Sequence, residues 1–365
     1  MDKMKKITCA FFLVFVFGFS LLQFLPDKSF SDQENRVLAQ LPEVSIDKLA
    51  SGKFADEMEE YASDQFPLRN GWILIHNLYE RLLLKLETGG SYVLSDRLIQ
   101  QFQMENEQNI QKNIGKINAF AELTGKQVDL LLIPTASDID KEHLSSFVHD
   151  VDQKALLNKI KLQLSESVSL VDVYDAMKES EEDLYYATDH HYNEKGAELV
   201  YESYMHHLNQ TPSSFTFEKV AEGFCGTLYS STGAYYVPCD DIVRIDPVDP
   251  IEVTVEYEED GILHFSVYNE DNLLIKDKYT YYLDGNHSIV DVKTSLIDKP
   301  SLLVVADSYS HLMIPFLISD FGEIRVVDLR YYRNALSEQI ENYDQVLVLY
   351  SLENFSNDTG LAWLR

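Results

Sequence analysis

The sequence is poor in basic residues, with 30 lysines and arginines against 60 aspartates and glutamates and a formal charge of −30. A chain of this sign repels the phosphate backbone of nucleic acids, so no nucleic-acid partner is expected. Internal repeats and low-complexity tracts are also missing, while 45% of the residues are hydrophobic. The chain is therefore predicted to be globular, with a length that suits about two or three domains.

The one long hydrophobic run lies at the N-terminus, where lysine-rich MDKMKK precedes the uncharged residues 7–25, ITCAFFLVFVFGFSLLQFL. At ~1.5 Å per residue this run spans most of a ~30 Å hydrocarbon core. No small-x-small cleavage site precedes Pro26, so an uncleaved signal anchor is predicted, with a cleaved signal peptide as the alternative. Lysines before the run and acidic residues after it predict a single-pass protein of the cell membrane whose main domain is extracytoplasmic.

The rest of the chain divides by its pattern of polar and apolar residues. Buried strands such as VDLLLIPT (128–135) and SLLVVAD (301–307) alternate with amphipathic helices, which is typical of a mostly parallel sheet in an α/β fold. Alternating runs such as IEVTVEYEEDGILHFSVY interrupt this pattern and predict a small β-rich insertion. The predicted segments are a cytoplasmic tip with the anchor, a helical lead-in, a first α/β part, the β-rich insertion and a second α/β part, over residues 1–26, 27–90, 91–213, 214–298 and 299–365.

Cysteine is rare, and beyond the anchor only Cys225 and Cys239 are present, on either side of a Gly/Ser/Tyr-rich stretch. An extracytoplasmic location would leave these two thiols free to pair. A bridge would stabilise the fold by ~3 kcal/mol in the loop-closure model, if the geometry allows one. A disulfide and two free thiols both remain open at this point. Cys9 lies inside the hydrophobic run and serves as an apolar side chain.

The stretch TDHHYNEKGA places Asp189, His190 and His191 at the start of a predicted helix. These side chains could ligate a metal, cap the helix, or supply the acid and base of a catalytic group. A second histidine pair, His206 and His207, lies near the end of the same helix, about 20 Å away at ~1.5 Å per residue. The two pairs cannot meet at one ion, so no metal site is predicted.

Ser308 follows the buried strand SLLVVAD and precedes a helical pattern. Such a turn exposes the serine at the carboxyl edge of the sheet, where open α/β sheets bind their ligands. N–H groups at the start of the helix can stabilise an oxyanion there. This position favours a nucleophile, and a simple N-cap is the alternative.

Taken together, TDHHYNEKGA and ADSYS resemble the paired signatures of the DHHW family of bacterial cell-surface proteins. They resemble more distantly those of the alginate O-acetyltransferases of the SGNH hydrolase superfamily. Further stretches similar to the family occur in the expected order: ENRVLAQLP, DQFPLRN, FCGTLY, YLDGNH and DLRYYRN. The resemblance implies an SGNH-like three-layer sandwich in which Ser308 attacks, His191 takes its proton and Asp189 holds the imidazole. The tryptophan that the family has after the second histidine is Tyr192 here, which changes the pocket wall.

Four further residues are candidates for binding substrate or an oxyanion. Arg330 follows a buried strand and could bind a sugar hydroxyl, a carboxylate or the oxyanion, although a salt bridge to a nearby acid is the alternative. Asn286, in YLDGNH, could supply an oxyanion amide, although DGN is also a turn signal. Tyr309 and Tyr192 are expected at the same pocket because they adjoin the predicted nucleophile and base.

The predicted function is that of a membrane-anchored serine acyltransferase or esterase, which acts on O-acyl, in particular acetyl, groups of a cell-surface or secreted polysaccharide or cell-wall glycan. A membrane-bound partner that donates the acyl group fits this prediction, and no cofactor is expected. Transferase and esterase share an acyl-enzyme and differ only in whether sugar or water accepts the acyl group. The competing class is a non-catalytic cell-envelope protein that binds carbohydrate or assists assembly.

Overall fold

The structure is a computed structural model that describes residues 3–22, 26–31, 36–83, 85–104, 107–145, 148, 150–259, 261–337 and 340–365. The chain forms two compact units. One comprises Met1–Gly89 and Tyr229–Tyr236, and the other comprises Gly90–Leu228 and Val237–Arg365. The domain boundaries given above stay predictions.

The α-helices are α1 (Lys3–Leu22), α2 (Ile46–Ser51), α3 (Lys53–Asp64), α4 (Arg69–Leu82), α5 (Glu107–Thr124), α6 (Ala136–Ile139), α7 (Gln153–Lys161), α8 (Tyr174–Glu179), α9 (Glu194–His207), α10 (Thr227–Thr232), α11 (Ser310–Leu317) and α12 (Leu352–Asn357). The strands are β1 (Phe30–Ser31), β2 (Arg36–Val37), β3 (Glu87–Thr88), β4 (Ser91–Val93), β5 (Leu98–Gln100), β6 (Val128–Ile133), β7 (Val168–Val171), β8 (Phe215–Phe224), β9 (Asp240–Pro247), β10 (Val253–Tyr257), β11 (Leu263–His264), β12 (Ile289–Thr294), β13 (Ser301–Ala306), β14 (Glu323–Val327) and β15 (Gln345–Ser351). Short 3-10 helices occupy Lys141–His143, Glu270–Leu274, Lys278–Tyr281, Ile340–Asn342 and Gly360–Trp363.

The predicted anchor, residues 7–25, falls within α1 as far as Leu22, and its last three residues lie outside the described part of the chain. The helix begins earlier than predicted, at Lys3, so lysines form part of its first turns. Among the helices that the structure describes, none is both long and apolar enough to cross a membrane. The prediction of a transmembrane helix over residues 7–25 is therefore not supported by the described helices.

The N-terminal unit contains the predicted helical lead-in and a segment from much later in the chain. Gly52, at a φ of +82°, ends α2 and begins α3, a left-handed conformation that favours glycine. In the later segment, Gly233 lies against α4 so closely that a Cβ on it would be 2.3 Å from Cγ2 of Ile73 and 2.7 Å from Nδ2 of Asn77. A side chain at position 233 is therefore excluded on steric grounds.

The larger unit is built on an eight-stranded sheet with the order β11-β10-β12-β14-β13-β15-β6-β7. The strands β14, β13, β15, β6 and β7 run parallel, whereas the pairs β12–β14, β10–β12 and β10–β11 are antiparallel. In the central strand β13, residues 302–306 are at most 1% exposed, as expected for a parallel strand covered on both faces. The predicted mixed α/β fold with a mostly parallel sheet is confirmed.

The predicted β-rich insertion, residues 214–298, divides into two parts. Strands β8 and β9 form a separate antiparallel ribbon. Strands β10, β11 and β12 instead extend the main sheet, because β12 pairs with β14 from Ile289 to Lys293. This half of the segment is therefore part of the sheet that carries the candidate site.

The parallel strands end at a common edge. The register aligns Val305 of β13 with Val327 of β14 and Val348 of β15, and it aligns Ser351 of β15 with Ile133 of β6. Residues that directly follow these strands therefore meet at the carboxyl edge. Helix α9 packs against α11 and β7, and α5 packs against α12 and β7.

Cys225 and Cys239 form a disulfide, with their Cα atoms 4.8 Å apart. This settles the pairing that the sequence left open. The bridge closes the end of β8 onto the start of β9 and encloses α10. Cys9 is a free, exposed thiol on α1.

Candidate active site

Ser308 lies between β13 and α11, the strand-to-helix turn that the sequence predicts. Every residue of α11 is buried, so the turn is held by the core at both ends. Asp307 also fixes it, because its Oδ1 accepts the N–H of Tyr309 at 2.9 Å and its Oδ2 accepts the N–H of Ser351 at 3.0 Å. The serine is thereby held at the carboxyl edge of the sheet.

His191 and Asp189 form a hydrogen-bonded chain with Ser308. Nε2 of His191 lies 2.9 Å from Oγ of Ser308, and Nδ1 of His191 lies 2.6 Å from Oδ1 of Asp189. An ionised carboxylate only accepts hydrogen bonds, so Nδ1 carries the proton and Nε2 presents its lone pair to the serine hydroxyl. The structure thus brings together the three residues predicted to form a triad.

The acid and the base are two residues apart, so the backbone must turn between them. Oδ1 of Asp189 accepts the N–H of His191 at 3.1 Å, which closes a local side-chain turn. The carbonyl of His191 accepts the N–H of Tyr186 at 3.2 Å, which ties the turn to the preceding segment. The side chain of Asn193 then caps α9 by accepting two N–H groups of its first turn, which confirms the predicted helix start.

Thr227 holds the acid of this chain from the side opposite His191. Oδ2 of Asp189 accepts the backbone N–H of Thr227 at 2.7 Å and its hydroxyl at 2.9 Å. Because the hydroxyl donates to Asp189, its oxygen accepts from Nδ1 of His190, 2.8 Å away. Sequence reasoning missed Thr227, although the family-like stretch FCGTLY contains it.

Buried tyrosines fix the segments that carry the triad. The ring of Tyr279 stacks on His191 with centroids 3.9 Å apart, and its hydroxyl donates to the carbonyl of Ser308 at 3.0 Å. The hydroxyl of Tyr309 donates to the carbonyl of His190 at 2.5 Å, and that of Tyr192 donates to the carbonyl of Tyr309. The hydroxyls of Tyr192 and Tyr309 are therefore bound within the protein, and the predicted contact of these residues with substrate or oxyanion stays a prediction.

Arg330 and Asn286 lie together beyond the end of β14. The guanidinium of Arg330 binds both carboxylate oxygens of Asp328, at 2.9 and 2.5 Å, and its Nη2 lies 3.3 Å from Oδ1 of the exposed Asn286. The salt bridge considered as the alternative for Arg330 is thus present. The arginine nevertheless lies close enough to lower the pKa of His191 slightly by its charge.

A metal ion is the other ligand that Asp189, His190 and His191 could hold, since one potential donor atom from each lies within 4.8 Å of the others. Both ring nitrogens of His191 are engaged with Asp189 and Ser308, and Thr227 binds Oδ2 of Asp189 and Nδ1 of His190. Of the ring nitrogens and carboxylate oxygens that zinc would need, all but Nε2 of His190 are thus bonded within the protein. Their arrangement fits proton transfer better than metal binding.

The model of the DHHW protein family matches residues 84–327, well over half of the chain. The matched range contains Asp189, His190, His191 and Ser308 in the geometry described above. The chain belongs to the DHHW family. The predicted membership is confirmed.

Solved structures show that the DHHW fold is shared. A DHHW family protein from Eubacterium siraeum superimposes with a TM-score of 0.67 at 21% identity, over 76% of this chain and 96% of that one. Bacillus cereus PatB1, known both alone and with a sulfonyl adduct, gives a TM-score of 0.61 at 19% identity for the adduct structure, over 75% of this chain and 99% of that one. At these identities the likeness establishes the fold. Curated protein sequences gave no significant match.

The charges around Asp189 and His191 favour a neutral base beside an ionised acid. Burial would raise the pKa of Asp189, but the neighbouring His190 and His191 and the N–H of Thr227 hold it well below its usual range. Burial and the charge of His190 lower the pKa of His191 to about 4, although the Asp189 carboxylate opposes them. At neutral pH His191 is therefore unprotonated and able to accept the serine proton.

The pKa of His191 predicts how activity that depends on Ser308, His191 and Asp189 varies with pH. The imidazole works as a base only when it is unprotonated, so activity is retained above its pKa and lost as the pH falls through it. We expect kcat/KM for p-nitrophenyl acetate to fall below about pH 4 rather than near 6.5, the ordinary histidine value. His190→Ala should shift this decline of kcat/KM to higher pH, because the charge of His190 lowers the pKa of His191. A decline of kcat/KM near pH 6.5 in the wild-type protein would contradict the expectation.

Gly226 provides a steric test of the position of Asp189. A Cβ at Gly226 would lie 2.4 Å from both Cβ and Oδ2 of Asp189. Gly226→Ala must displace a carboxylate held by His191 and Thr227, and a shift of ~1 Å in such a group can lower activity about 100-fold. The control is Gly115→Ala on α5, where a Cβ meets nothing within 4 Å. Equal kcat/KM values in the two variants would show that activity tolerates displacement of the Asp189 carboxylate.

Proposed function

We propose that this DHHW protein is an extracytoplasmic serine acyltransferase or esterase that acts on O-acyl groups, in particular acetyl groups, of cell-surface or secreted polysaccharide. The observation that carries the proposal is the continuous hydrogen-bonded chain of Ser308, His191 and Asp189, with contacts of 2.9 and 2.6 Å. The sequence resemblance to the alginate O-acetyltransferases supplies the substrate class. In the proposed cycle, acyl groups pass through an ester on Ser308.

In the first half of the cycle, Oγ of Ser308 attacks the carbonyl carbon of the acyl ester while Nε2 of His191 takes the hydroxyl proton. The carbonyl oxygen becomes an oxyanion. The oxyanion then collapses, the bond to the leaving oxygen breaks, and His191 returns its proton to that oxygen. The products are a free alcohol and an acyl group on Ser308.

In the second half, a sugar hydroxyl or water occupies the place of the leaving alcohol. His191 takes its proton while the new oxygen attacks the acyl carbon. The bond between this carbon and Oγ of Ser308 then breaks, and His191 passes the proton to Oγ. Asp189 does not take up a proton in either half, because its pKa lies far below the working pH. It orients the ring of His191 and stabilises the imidazolium.

The oxyanion needs hydrogen-bond donors close to Oγ. The N–H groups of Tyr309, Ser310 and His311 are bonded to Asp307 and to the carbonyl of Ser308. Within the described residues, the N–H of Ser308 itself donates to no protein acceptor. It is the first oxyanion donor in the proposed cycle.

Arg330 and Asn286 are the further donors in this proposal. They are hydrogen-bonded to each other where the neighbouring strand β14 ends. Burial lowers the pKa of Arg330, but its bonds to Asp328 more than offset this, so the guanidinium is charged throughout the working range. A fixed positive charge at this edge suits a developing oxyanion.

The disulfide supports the extracytoplasmic part of the proposal. Bridges such as Cys225–Cys239 form and persist in oxidising compartments and are rare in the cytosol of most cells. A cell-surface glycan is a substrate of that same compartment. The acyl donor has to be available there as well.

Covalent labelling of the full-length protein tests the proposal directly. A fluorophosphonate reacts with serines activated by a neighbouring base, so mass spectrometry should find the label on Ser308. Ser308→Ala should abolish labelling. Ser51→Ala removes an exposed serine on α2 and should label like the wild type. Well-folded protein without label on Ser308 would instead favour the non-catalytic cell-envelope protein.

A further inference from the structure

A cleft lies beside the triad at the carboxyl edge of the sheet. The side chains that matter for its chemistry are Leu98, Gln100, Thr135, His190, Tyr309 and Glu353. Thr135 follows β6 and Glu353 follows β15, so the cleft lies between the ends of two adjacent parallel strands. Ligands of open α/β sheets bind at such positions. The triad mechanism makes no use of Glu353.

Glu353 is a buried carboxyl group that is only half satisfied. Its side chain lies in the first turn of α12, and the residue is 8% exposed. Oε1 accepts from Nε2 of Gln100 at 2.9 Å and from the N–H of Gln103 at 3.4 Å. Among the described residues, no donor bonds to Oε2. Because Glu353 lines the cleft, an oxygen without a protein donor is available there to a ligand hydroxyl.

The protonation of Glu353 suits a hydroxyl ligand. Burial raises the pKa of Glu353 to about 7. Near neutral pH the group is therefore divided between a carboxylate, which accepts hydrogen bonds, and a carboxylic acid, which also donates one. A hydroxyl group donates and accepts, so it can pair with both forms.

His190 connects the cleft to the catalytic base. Its ring lies 4.0 Å, centroid to centroid, from that of His191, and its side chain is 28% exposed. Nδ1 of His190 donates to Thr227, so Nε2 is the ring nitrogen that remains for a ligand. Only the ring of His190 therefore separates a group bound against it from the ring of His191, whose Nε2 accepts the serine proton in the proposed cycle.

We propose that this small cleft, with a cavity volume of about 20 Å³, receives one hydroxyl of the glycan, that Glu353 binds this hydroxyl, and that the cleft selects sugars without a carboxylate. The proposal rests on the function proposed above and adds the class of sugar. Oε2 of Glu353 and Nε2 of His190 have no hydrogen-bond partner among the described residues, and the ionised Asp189 lines the same cleft. A sugar hydroxyl can donate or accept, so it suits either form of Glu353. The carboxylate of a uronic acid brings no donor and would face Asp189 as a like charge.

Acetate release from two sugar esters of equal length tests this selection. Transfer to a sugar and hydrolysis of a sugar ester pass through the same enzyme–sugar complex, so acetate release reports the subsite for either activity. The probes are O-acetylated cellopentaose, which is neutral, and O-acetylated pentagalacturonate, which carries carboxylates. The reference is p-nitrophenyl acetate, which has no sugar. Wild-type protein should show the higher kcat/KM with the cellopentaose ester.

Glu353→Gln keeps the size of the side chain and places an amide donor in the cleft. It should lower kcat/KM for the cellopentaose ester by about tenfold or more, chiefly through KM, and change turnover of p-nitrophenyl acetate less than about twofold. Discrimination against the pentagalacturonate ester should weaken at the same time. Glu341→Gln makes the same chemical change at an exposed position and should leave all three substrates unaffected.

Gln100→Ala is the second variant, because it removes the amide that fixes Oε1 of Glu353 without changing the carboxyl group. Like Glu353→Gln, it should raise KM for the cellopentaose ester. Three results would overturn the subsite: unchanged turnover of this ester in Glu353→Gln, an equal loss with p-nitrophenyl acetate, or no preference of the wild type for the neutral sugar. A wild-type protein that turns over none of the three substrates would instead refute the proposed function itself.

Discussion

Ser308→Ala is expected to lower kcat/KM for p-nitrophenyl acetate by roughly 10⁴-fold or more, because the variant lacks the oxygen that attacks the ester in the proposed cycle. His191→Ala should be about as severe, since Nε2, 2.9 Å from Oγ of Ser308, is the atom that takes the proton in the proposed cycle. The double variant should be hardly worse than either single variant. Residues that act as one unit lose their joint contribution when the first of them is removed.

Stability must be measured beside these rates. Loss of the hydrogen bond between Ser308 and His191 costs about 1 kcal/mol, which shifts the thermal midpoint without abolishing the fold. Near-native unfolding temperatures with lost turnover support the nucleophile and the base. Wild-type-like turnover in Ser308→Ala would show that the acyl group is attacked by another atom.

Asp189→Asn is expected to lower kcat/KM by roughly 10³- to 10⁴-fold, although it changes a single oxygen to an amide nitrogen. The amide can donate to Nδ1 of His191 and so stabilise the tautomer in which Nε2 carries the proton. That tautomer cannot accept the proton of Ser308. The measurement is again kcat/KM for p-nitrophenyl acetate, with the folded state checked by circular dichroism.

His190→Ala is the matched comparison for Asp189→Asn and His191→Ala. His190 bonds to Thr227 and lies beside the base, but it makes no contact with Ser308 among the hydrogen bonds of the described residues. Its loss should lower turnover of p-nitrophenyl acetate by no more than about tenfold. A larger loss in His190→Ala than in His191→Ala would mean that the other histidine is the base.

The elements that position the triad could be predicted because their signals are local. Apolar runs without alternation indicate the strands 128–133, 301–306 and 345–351, and Asn193 marks the start of α9. Ser308 could be placed at the carboxyl edge because parallel strands end together. The triad itself depended on the resemblance, since nothing in the local pattern joins Asp189 to a serine far along the chain.

The parts that could not be predicted depend on contacts between distant segments. The pairing of β12 with β14 adds part of the 214–298 segment to the main sheet, and no periodicity encodes that partner. Thr227 is likewise separated from Asp189 in the sequence and meets it only through the fold. Glu353 carries no motif, and its character comes from burial beside Gln100.

The order of synthesis matters for the N-terminal unit, because it includes Tyr229–Tyr236 as well as Met1–Gly89. Gly233 fits against Ile73 and Asn77 of α4, yet the ribosome makes it only after residues 90–228. At ~5–20 residues per second, α4 waits on the order of ten seconds for this partner. The N-terminal unit is therefore not an early, autonomous folding unit: its assembly ends late, when the strands and the disulfide of the larger unit are also being formed.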